Sequence, residues 1–302
     1  MNLLEAIQKS AGFLARKGVE SPRLQAELLL AALLKLPRMK LYLNFERALT
    51  PAETEVLREW VRRRGQHEPL QYIIGSTSFC GLELAVNPQV LVPRPETELL
   101  AEQGWTFLNG LSSATQPAHE ESARSSGLGT PMALDFGTGS GCVALALAVH
   151  CPQAEVYAVD SSAEALVVAR QNASGHGLEL RLHFLEGDGF GAIPAGLQFN
   201  LVISNPPYIP TGDIAQLQAE VRDYEPRAAL DGGPDGLDYY RRLAAQAKPF
   251  LACAGRLMAE FGDGQAQSVS EIFSAQNWIV EQVLSDYTQR PRILIARPTG
   301  AS

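Results

Sequence analysis

A run of alternating glycines between an apolar segment and a helix-forming segment constrains the fold of this 302-residue chain most strongly. Residues 132–136 are apolar enough for a buried strand, Gly137–Gly141 follows directly, and residues 142–149 have the composition of a helix. Glycines at such a turn permit positive φ and bring the backbone close to a ligand. The spacing is G-x-G-x-G, so the third glycine of a dinucleotide fingerprint would fall at Cys142, and no G-K-[ST] follows. The turn therefore predicts a ligand site that is not built for a pyrophosphate.

From residue 131 onward, segments typical of strands and of helices alternate. We expect strands at 132–136, 155–160, 180–186, 199–204, 256–261, 278–284 and 293–296, and helices at 142–149, 163–173, 237–248 and 265–275. This order predicts an α/β fold with a Rossmann-like, mostly parallel and doubly wound sheet of seven strands. The last two strands have no helix between them, so they should form an antiparallel hairpin at one edge.

The part of the chain before this sheet has a different pattern. Residues 1–75 carry apolar side chains at helical spacing and predict a small helical domain. Its third helix ends in an arginine run, 62–64, that should lie in solvent and could also touch an acidic partner. Residues 76–95 read as a β-hairpin linker, and 96–302 as the catalytic domain. Residues 109–130, rich in Ser, Ala and Gly, predict a flexible insertion.

The composition of the chain limits the kinds of partner that it is expected to bind. Hydrophobic residues make up 46% of the chain and the formal net charge is -8, which does not favour binding along a nucleic-acid backbone. The four cysteines form no CxxC pair and have no metal-ligand spacing with the histidines. We find neither a signal peptide nor a membrane-length apolar run. The expected protein is a cytoplasmic monomer without a metal, and it binds neither membrane nor nucleic acid.

Acidic residues stand at the ends of three successive predicted strands: Asp135, Asp160 and Asp188. Alone, each could be a helix cap or a loop residue. Together they match S-adenosylmethionine, which has no pyrophosphate but carries a sulfonium and an ammonium group. Asp135 suits the cationic methionine part, Asp160 can accept from both ribose hydroxyls, and Asp188 can accept from the adenine amino group.

The strand predicted at 199–204 runs directly into Asn205-Pro206-Pro207-Tyr208. An amide nitrogen is a poor nucleophile, and two acceptors aimed at its N–H bonds would turn its lone pair toward a sulfonium. The Asn205 side-chain oxygen and a backbone carbonyl of the Pro-Pro turn could be these acceptors, with Tyr208 as an aromatic face for a flat group. Catalysis would then rest on orientation and electrostatics, without a general base. The motif predicts methyl transfer to a planar amide or amino nitrogen.

Several linked blocks together resemble one family, the N5-glutamine methyltransferases of class I peptide-chain release factors (HemK/PrmC type). The blocks are 90–98 (VLVPRPETE), 134–146 (LDFGTGSGCVALA), 158–160 (AVD), 204–209 (SNPPYI), 224–226 (YEP), 229–233 (ALDGG) and 235–237 (DGL). The resemblance covers nearly the whole chain. It implies that the acceptor is the glutamine of a Gly-Gly-Gln loop, and that the helical domain helps to dock the release factor.

The resemblance implies that S-adenosylhomocysteine is the product. When the family's residues are matched by position, it implies cofactor contacts at Gly137, Thr138, Gly139, Ser140, Gly141, Asp160 and Asp188. It implies acceptor contacts at Asn205, Pro206, Pro207 and Tyr208. One position departs from the pattern, because relatives often carry an aromatic residue after the third acid, where this chain has Gly189. Either Phe190 stacks on the adenine instead, or the adenine is held more loosely.

Further polar residues of these blocks have open roles. Arg94 and Glu96 could frame the mouth of the site and touch the substrate, or they could form a pair that pins the interdomain hinge. Glu260 and Gln265 also match a family block, but the simpler interpretation is a strand-end and a loop residue.

Two other functions remain open at this point. An adenine-N6 methyltransferase of DNA or RNA would share the Asn-Pro-Pro-Tyr pocket, since its acceptor is also a flat NH2 group. It should add a basic channel or a target-recognition domain, and the sequence offers neither. A methyltransferase-like fold kept as a binding module is the third reading, and the presence of both motifs argues against it.

Overall fold

The computed structural model describes residues 1–113 and 130–300, and the chain divides into two compact units. The first unit comprises Met1–Ser76 together with Leu217–Glu225. The second comprises Thr77–Gln216 and the chain from Pro226 onward. The sequence did not indicate that residues 217–225 belong with the first unit.

The first unit is helical. Its helices are α1 Leu3–Arg16, α2 Pro22–Leu34, α3 Arg38–Tyr42, α4 Pro51–Arg64, α5 Leu70–Ile74 and, after an excursion of the chain, α9 Ala219–Arg222. Capping boxes start α1 and α4, where the side chains of Asn2 and Thr50 accept from the third backbone N–H of the helix. The apolar faces of α1, α2 and α4 enclose one core. The helices expected from residue spacing are therefore present, and α3 and α5 are additional.

Arg64 corrects the expectation that the arginine run ends in solvent. Arg62 is exposed, but the Arg64 side chain is only 3% exposed. Its guanidinium donates to Gln25 Oε1 at 2.9 Å and to the Glu68 carbonyl at 3.1 Å, and it pairs with Glu220 at 2.9 Å. A buried guanidinium needs such partners to replace water. The pair with Glu220 fastens the segment 217–225 to the helical unit.

The second unit contains a hairpin, a long helix and a large sheet. Its elements are β1 Ser76–Phe79, β2 Leu82–Ala85, α6 Pro95–Ser113, β3 Met132–Phe136, α7 Cys142–His150, β4 Glu155–Asp160, α8 Ala163–Gly175, β5 Leu182–Glu186, β6 Phe199–Ser204, α10 Asp238–Gln246, β7 Leu251–Glu260, α11 Ala266–Ala275, β8 Trp278–Ser285 and β9 Pro291–Pro298. Residues 109–113, expected in a flexible loop, instead continue α6. Most of that predicted insertion, 114–129, lies outside the described residues.

The seven-stranded sheet has the order β5-β4-β3-β6-β7-β9-β8. The strands from β5 to β7 pair in parallel, whereas β9 is antiparallel to both β7 and β8. This confirms the mostly parallel sheet and the antiparallel hairpin at one edge. The boundaries differ at β7, which begins at Leu251 rather than at residue 256, because it continues past an irregular register opposite β6.

Two apolar clusters cover the two faces of the sheet. Neighbouring residues of β3 alternate between them, with Ala133 in one and Leu134 in the other. Helices α6 and α7 contribute to the first cluster, and α10 and α11 to the second. The strand order reverses between β3 and β6, and the crevice at such a switch point is where doubly wound sheets bind ligands. Among the described residues, no helix is both long and apolar enough to cross a membrane.

Asn172 on α8 links the hairpin to the glycine turn. Its side-chain oxygen accepts from the Ala85 backbone N–H at 2.7 Å, and its amide group donates to the Ala85 carbonyl at 3.1 Å and to the Ser140 carbonyl at 2.9 Å. The side chain is buried. These hydrogen bonds connect the end of β2 to the glycine turn that follows β3.

We expect Asn172→Ala to lower the free energy of unfolding by about 2–3 kcal/mol, because buried backbone groups lose their partners. Urea denaturation measures this difference. Gln171→Ala, at the exposed neighbouring position, is the matched control and should change the value by less than about 0.5 kcal/mol. Equal effects of the two substitutions would contradict the assigned role of Asn172.

Candidate active site

A cavity of about 210 Å³ opens where the chain leaves β3, β4, β5 and β6. Its wall includes many residues that the sequence analysis singled out: Arg94, Asp135, Gly137, Thr138, Gly139, Ser140, Asp160, Asp188, Gly189, Asn205 and Pro207. Other expected site residues do not line it: Glu96, Gly141, Phe190, Pro206 and Tyr208. The structure therefore brings the glycine turn, the strand-end acids and Asn205 to one place.

The glycine turn is held against β4 by its backbone. The N–H groups of Gly137 and Thr138 both donate to the Val159 carbonyl, at 2.9 and 3.0 Å. Gly137 and Gly139 have φ of 76° and 55°, in the left-handed region that favours glycine. Gly141 also has a positive φ, 81°, and a Cβ there would in addition lie 2.8 Å from the side chain of Leu145.

Asp135, at the end of β3, is buried beneath the turn. One carboxylate oxygen accepts from the Thr138 hydroxyl at 2.6 Å and from the Ala144 backbone N–H at 3.1 Å. Burial raises the pKa of Asp135 to about 7, although both hydrogen bonds oppose the change. A cation at the cavity wall would favour the ionised form.

Asp160 ends β4 with both carboxylate oxygens engaged. Oδ2 accepts from the Gly139 N–H at 2.8 Å, and Oδ1 accepts from the Ser162 N–H at 2.9 Å. Each carboxylate oxygen has a second lone pair, so both can still accept from a ligand. Two adjacent hydroxyls fit such a pair of acceptors.

Asp188 follows β5 and is bound by an arginine from α10. The Arg242 guanidinium donates to the Asp188 carboxylate, and through Nη2 to the Asp188 carbonyl at 2.6 Å. It also lies 5.9 Å from the ring centroid of Phe136. A Cβ at Gly189 would be only 2.6 Å from Arg242 and 2.9 Å from Phe136. Gly189 therefore lacks a side chain because Arg242 and Phe136 occupy that space.

Phe190 does not take the place of the missing aromatic residue. It is 4% exposed and packs in the core, with its ring centroid 4.8 Å from Phe136 and 5.0 Å from Phe250. Phe190 does not line the cavity, so its burial favours the other alternative, in which an adenine is held more loosely. Tyr239 and Arg242, both from α10, stand on the cavity wall near Gly189 instead.

Asn205 lies immediately after β6 and lines the cavity. Its side-chain nitrogen donates to the hydroxyl of Thr97 at 3.0 Å. Thr97 is 2% exposed and lies in the first turn of α6. It belongs to the P-R-P-E-T-E block, but the sequence analysis assigned it no role. Arg94 of the same block reaches the cavity wall, whereas Glu96 is exposed and does not line it.

The rest of the Asn-Pro-Pro-Tyr loop is anchored rather than open. Gln265 accepts from the Gly262 N–H and donates to the Tyr208 carbonyl, both at 2.9 Å. A Cβ at Gly236 would lie 2.3 Å from that same carbonyl, so only glycine permits this approach. Burial and nearby Glu260 raise the pKa of Tyr208 to about 12. Tyr208 therefore stays neutral and packs beside the loop.

Several residues at or beside the site were not predicted to have a role there, among them Thr97, Tyr239 and Arg242 on the cavity wall and Gln265 behind the Asn-Pro-Pro-Tyr loop. Thr97 and Gln265 lie within or beside the sequence blocks that resemble the family, and this position is the signal that could have indicated their role. The other two come from the predicted helix at 237–248, where no sequence pattern marked the face toward the cavity. Among the described residues, no group of three or more His, Cys, Asp or Glu could hold a metal ion.

The sheet order and the strand-end site have the form of S-adenosylmethionine-dependent methyltransferases. The catalytic domain of human METTL16, solved with a hairpin of the MAT2A 3′ untranslated region, superposes with a TM-score of 0.53 at 14% identity. The match covers 82% of this chain and 81% of that one, and at this identity it is a likeness of fold.

Sequence comparison resolves the class further. Residues 5–75 match the PrmC N-terminal domain family, and residues 127–220 match the methyltransferase small domain family. The release factor glutamine methyltransferase of Geobacter sulfurreducens is 47% identical over 264 residues, covering 87% of this chain and 85% of that protein. The enzyme of the same name from Chlorobaculum tepidum is 42% identical, covering 96% and 95%. The chain belongs to the release factor glutamine methyltransferase family.

Asp135 should leave a measurable signature in stability. Its folded-state pKa is about 7 and its ordinary value is 3.8, so between these values the folded protein binds more protons than the unfolded chain. Its contribution to the free energy of unfolding must therefore fall as pH rises through this window, by at most about 1.4 kcal/mol per pH unit.

Asp135→Asn keeps an oxygen acceptor and removes the titration. We expect the wild-type free energy of unfolding, minus that of the variant, to decrease between about pH 5 and 7 and to level off above. Urea denaturation without added cofactor at several pH values gives this difference. A constant difference would show that Asp135 has its ordinary pKa in the folded protein, and a difference that rises with pH would show that this pKa is lowered; either result contradicts the prediction.

Proposed function

We propose that this enzyme transfers a methyl group from S-adenosylmethionine to the side-chain amide nitrogen of the glutamine in the Gly-Gly-Gln loop of class I release factors. The observation that carries the proposal is the position of Asn205, which meets the glycine turn at one cavity. Membership of the family supplies the acceptor class. We place the reaction in the cytoplasm, where translation takes place, and expect the enzyme to act as a monomer.

The cavity wall fits S-adenosylmethionine without a metal. The buried Asp135 suits a cationic methionine moiety, and the free lone pairs of Asp160 suit the ribose hydroxyls. The cofactor, when bound, supplies a methyl group on a sulfonium, which is a good leaving group. Asp188 would accept from the adenine amino group. The flat guanidinium of Arg242 and the ring of Tyr239 would bound the adenine, in place of an aromatic residue at Gly189.

The acceptor glutamine would be oriented by two carbonyl-type oxygens. Asn205 Oδ1 is one, because the nitrogen of the same group is already bound to Thr97. Two other carbonyl groups of the loop are already in contact with the protein. The Tyr208 carbonyl accepts from Gln265, and the Pro207 carbonyl lies against Gly232. We assign the second acceptor to the Pro206 carbonyl. Pro207 and Arg94 would line the entrance, whereas Tyr208 would support the loop.

We assign docking and chemistry to different parts of the chain. Residues 1–75 would bind the release factor away from its Gly-Gly-Gln loop, the hairpin segment 76–95 would join the domains, and residues 96–302 would carry the reaction. Neutral Tyr208 offers no base, and none is needed, because the nitrogen becomes acidic only as the new N–C bond forms and the S–C bond breaks. Its surplus proton would then pass to water. Orientation is therefore the main contribution of the protein.

The substrate assignment is tested with purified enzyme, S-adenosylmethionine and a class I release factor. We expect peptide mass spectrometry to place one methyl group on the Gly-Gly-Gln glutamine of the intact factor, and a much slower reaction with an isolated Gly-Gly-Gln peptide. A factor with alanine at that glutamine is the control. Methyl transfer to adenine in DNA or RNA, with the glutamine unmodified, would favour the adenine-N6 alternative.

Substitutions on the acceptor side and on the cofactor side of the site should affect different measured quantities. We expect Asn205→Ala to lower kcat by about 10²–10³-fold while changing S-adenosylmethionine affinity little, because it removes an acceptor that orients the nucleophile. Asp160→Ala should weaken cofactor binding by about tenfold or more, since it removes two charge-assisted hydrogen bonds.

Calorimetry with S-adenosylhomocysteine and initial rates at saturating cofactor measure the two effects. Asp213→Ala, at an exposed position outside the cavity wall, is the matched control for an acid-to-alanine change. If Asn205→Ala abolished cofactor binding while the protein stayed folded, Asn205 would belong to the cofactor side of the cavity.

A further inference from the structure

We propose that Thr97 is a positioning residue, which fixes the direction of the Asn205 carboxamide because its only hydroxyl proton is committed to Glu260. This inference rests on the proposed function, in which the Asn205 oxygen orients the acceptor nitrogen. It adds a reason why that oxygen, and not the nitrogen of the same group, faces the acceptor.

The carboxamide of Asn205 could point either way in its pocket, because its two ends have nearly the same shape. An oxygen toward the acceptor accepts from the glutamine N–H, whereas an NH2 group there would repel it. The structure places Nδ2 of Asn205 3.0 Å from Thr97 Oγ1. This contact connects residues from the end of β6 and the start of α6, and it is buried on the Thr97 side.

Glu260 decides which partner the Thr97 hydroxyl can serve. Glu260 ends β7, is 1% exposed, and forms a side-chain hydrogen bond with Thr97 that favours the ionised carboxylate. An ionised carboxylate only accepts, so Thr97 must donate to it. Among the described residues, the other Glu260 oxygen, Oε2, has no hydrogen-bond partner. The Thr97 proton is therefore not available for another acceptor.

Because the Thr97 hydroxyl donates its proton to Glu260, its oxygen can only accept a hydrogen bond from Asn205. A lone pair accepts from an NH2 group and repels a carbonyl oxygen, so the flipped carboxamide loses a hydrogen bond and gains a repulsion. The cost of a lost buried hydrogen bond is enough to leave the flipped form a small minority. The hydrogen bonds that link Glu260, Thr97 and Asn205 thus let a buried charge determine the orientation of a side chain on the cavity wall.

Glu260 is surrounded by buried groups that hold it in place. Tyr240 is fully buried and its hydroxyl donates to the Glu260 carbonyl at 2.8 Å. Burial raises the pKa of Glu260 to about 7, while the Thr97 hydrogen bond and the charge of Arg292 oppose the change. An assay at about pH 8.5 therefore keeps the carboxylate ionised.

A double-mutant cycle tests the inference on the intact enzyme with release factor as substrate. Thr97→Val keeps the shape and removes the hydroxyl, and we expect kcat to fall about 10–100-fold with unchanged S-adenosylhomocysteine affinity. Thr97→Ser keeps the hydroxyl and should restore most of the rate. In the Asn205→Ala background, Thr97→Val should change kcat by less than about twofold, because there is no carboxamide left to orient.

Thr288→Val is the matched control, since Thr288 also donates to a carboxylate, that of Asp286, at 2.6 Å. It should leave kcat unchanged. Should Thr97→Val fail to bind S-adenosylhomocysteine, Thr97→Cys replaces it, because a thiol fits the space but is a weak acceptor. The same loss of kcat is expected.

The outcomes separate this inference from the proposed function. Wild-type enzyme that does not methylate the glutamine overturns the function itself. Active wild-type enzyme with equal Thr97→Val losses in both backgrounds overturns the positioning role and leaves the function standing, because additive effects mean that Thr97 does not act through Asn205. Full activity of Thr97→Val overturns it as well.

Discussion

The parallel pairing of β3 with β6 is the constraint on which the site depends. Asp135 on β3 stands opposite Ile203 on β6, so the glycine turn and Asn205 leave the sheet side by side. The Ser204 hydroxyl donates to the Phe136 carbonyl at 2.6 Å and locks the two strand ends together. A shift of one residue in this register would move Asp135 to the opposite face. A single strand pair thus positions the glycine turn and Asn205, to which we assign the donor and the acceptor.

Close backbone contact then makes the acceptor loop rigid. Ile209 pairs with Asp231 as an isolated bridge, and the Gly232 N–H donates to the Ile209 carbonyl at 2.9 Å. A Cβ at Gly232 would lie 2.9 Å from the Pro207 carbonyl. The glycines of the 229–237 blocks are therefore required by the loop that they support. A loop held this closely can present an oxygen with the precision that orientation-based catalysis needs.

The fold was largely predictable from sequence because each of the seven strands carried its own apolar pattern and turn signal. The cavity residues at strand ends, such as Asp135 and Asn205, were predictable for the same reason, since parallel strands deliver their carboxyl ends to one edge. Thr97 and Arg242 were not, because their roles come from contacts with residues 108 and 54 positions away. The burial of Phe190 was not predictable either, because adjacency in sequence does not determine which way a side chain points after a turn.

The buried acids explain why the site needs no base. Burial raises the pKa values of Asp135 and Glu260 to about 7, one beside the glycine turn and one behind Asn205. Glu260 does not line the cavity, and one carboxylate oxygen of Asp135 is held by the Thr138 hydroxyl and the Ala144 N–H. In the proposed mechanism neither acid takes a proton, and Glu260 sets the direction of the Thr97 hydroxyl. A methyl group on a sulfonium is already activated, so what the protein must add is a nitrogen lone pair pointing at it. Buried charges that orient neutral hydrogen bonds meet that requirement better than a titrating base would.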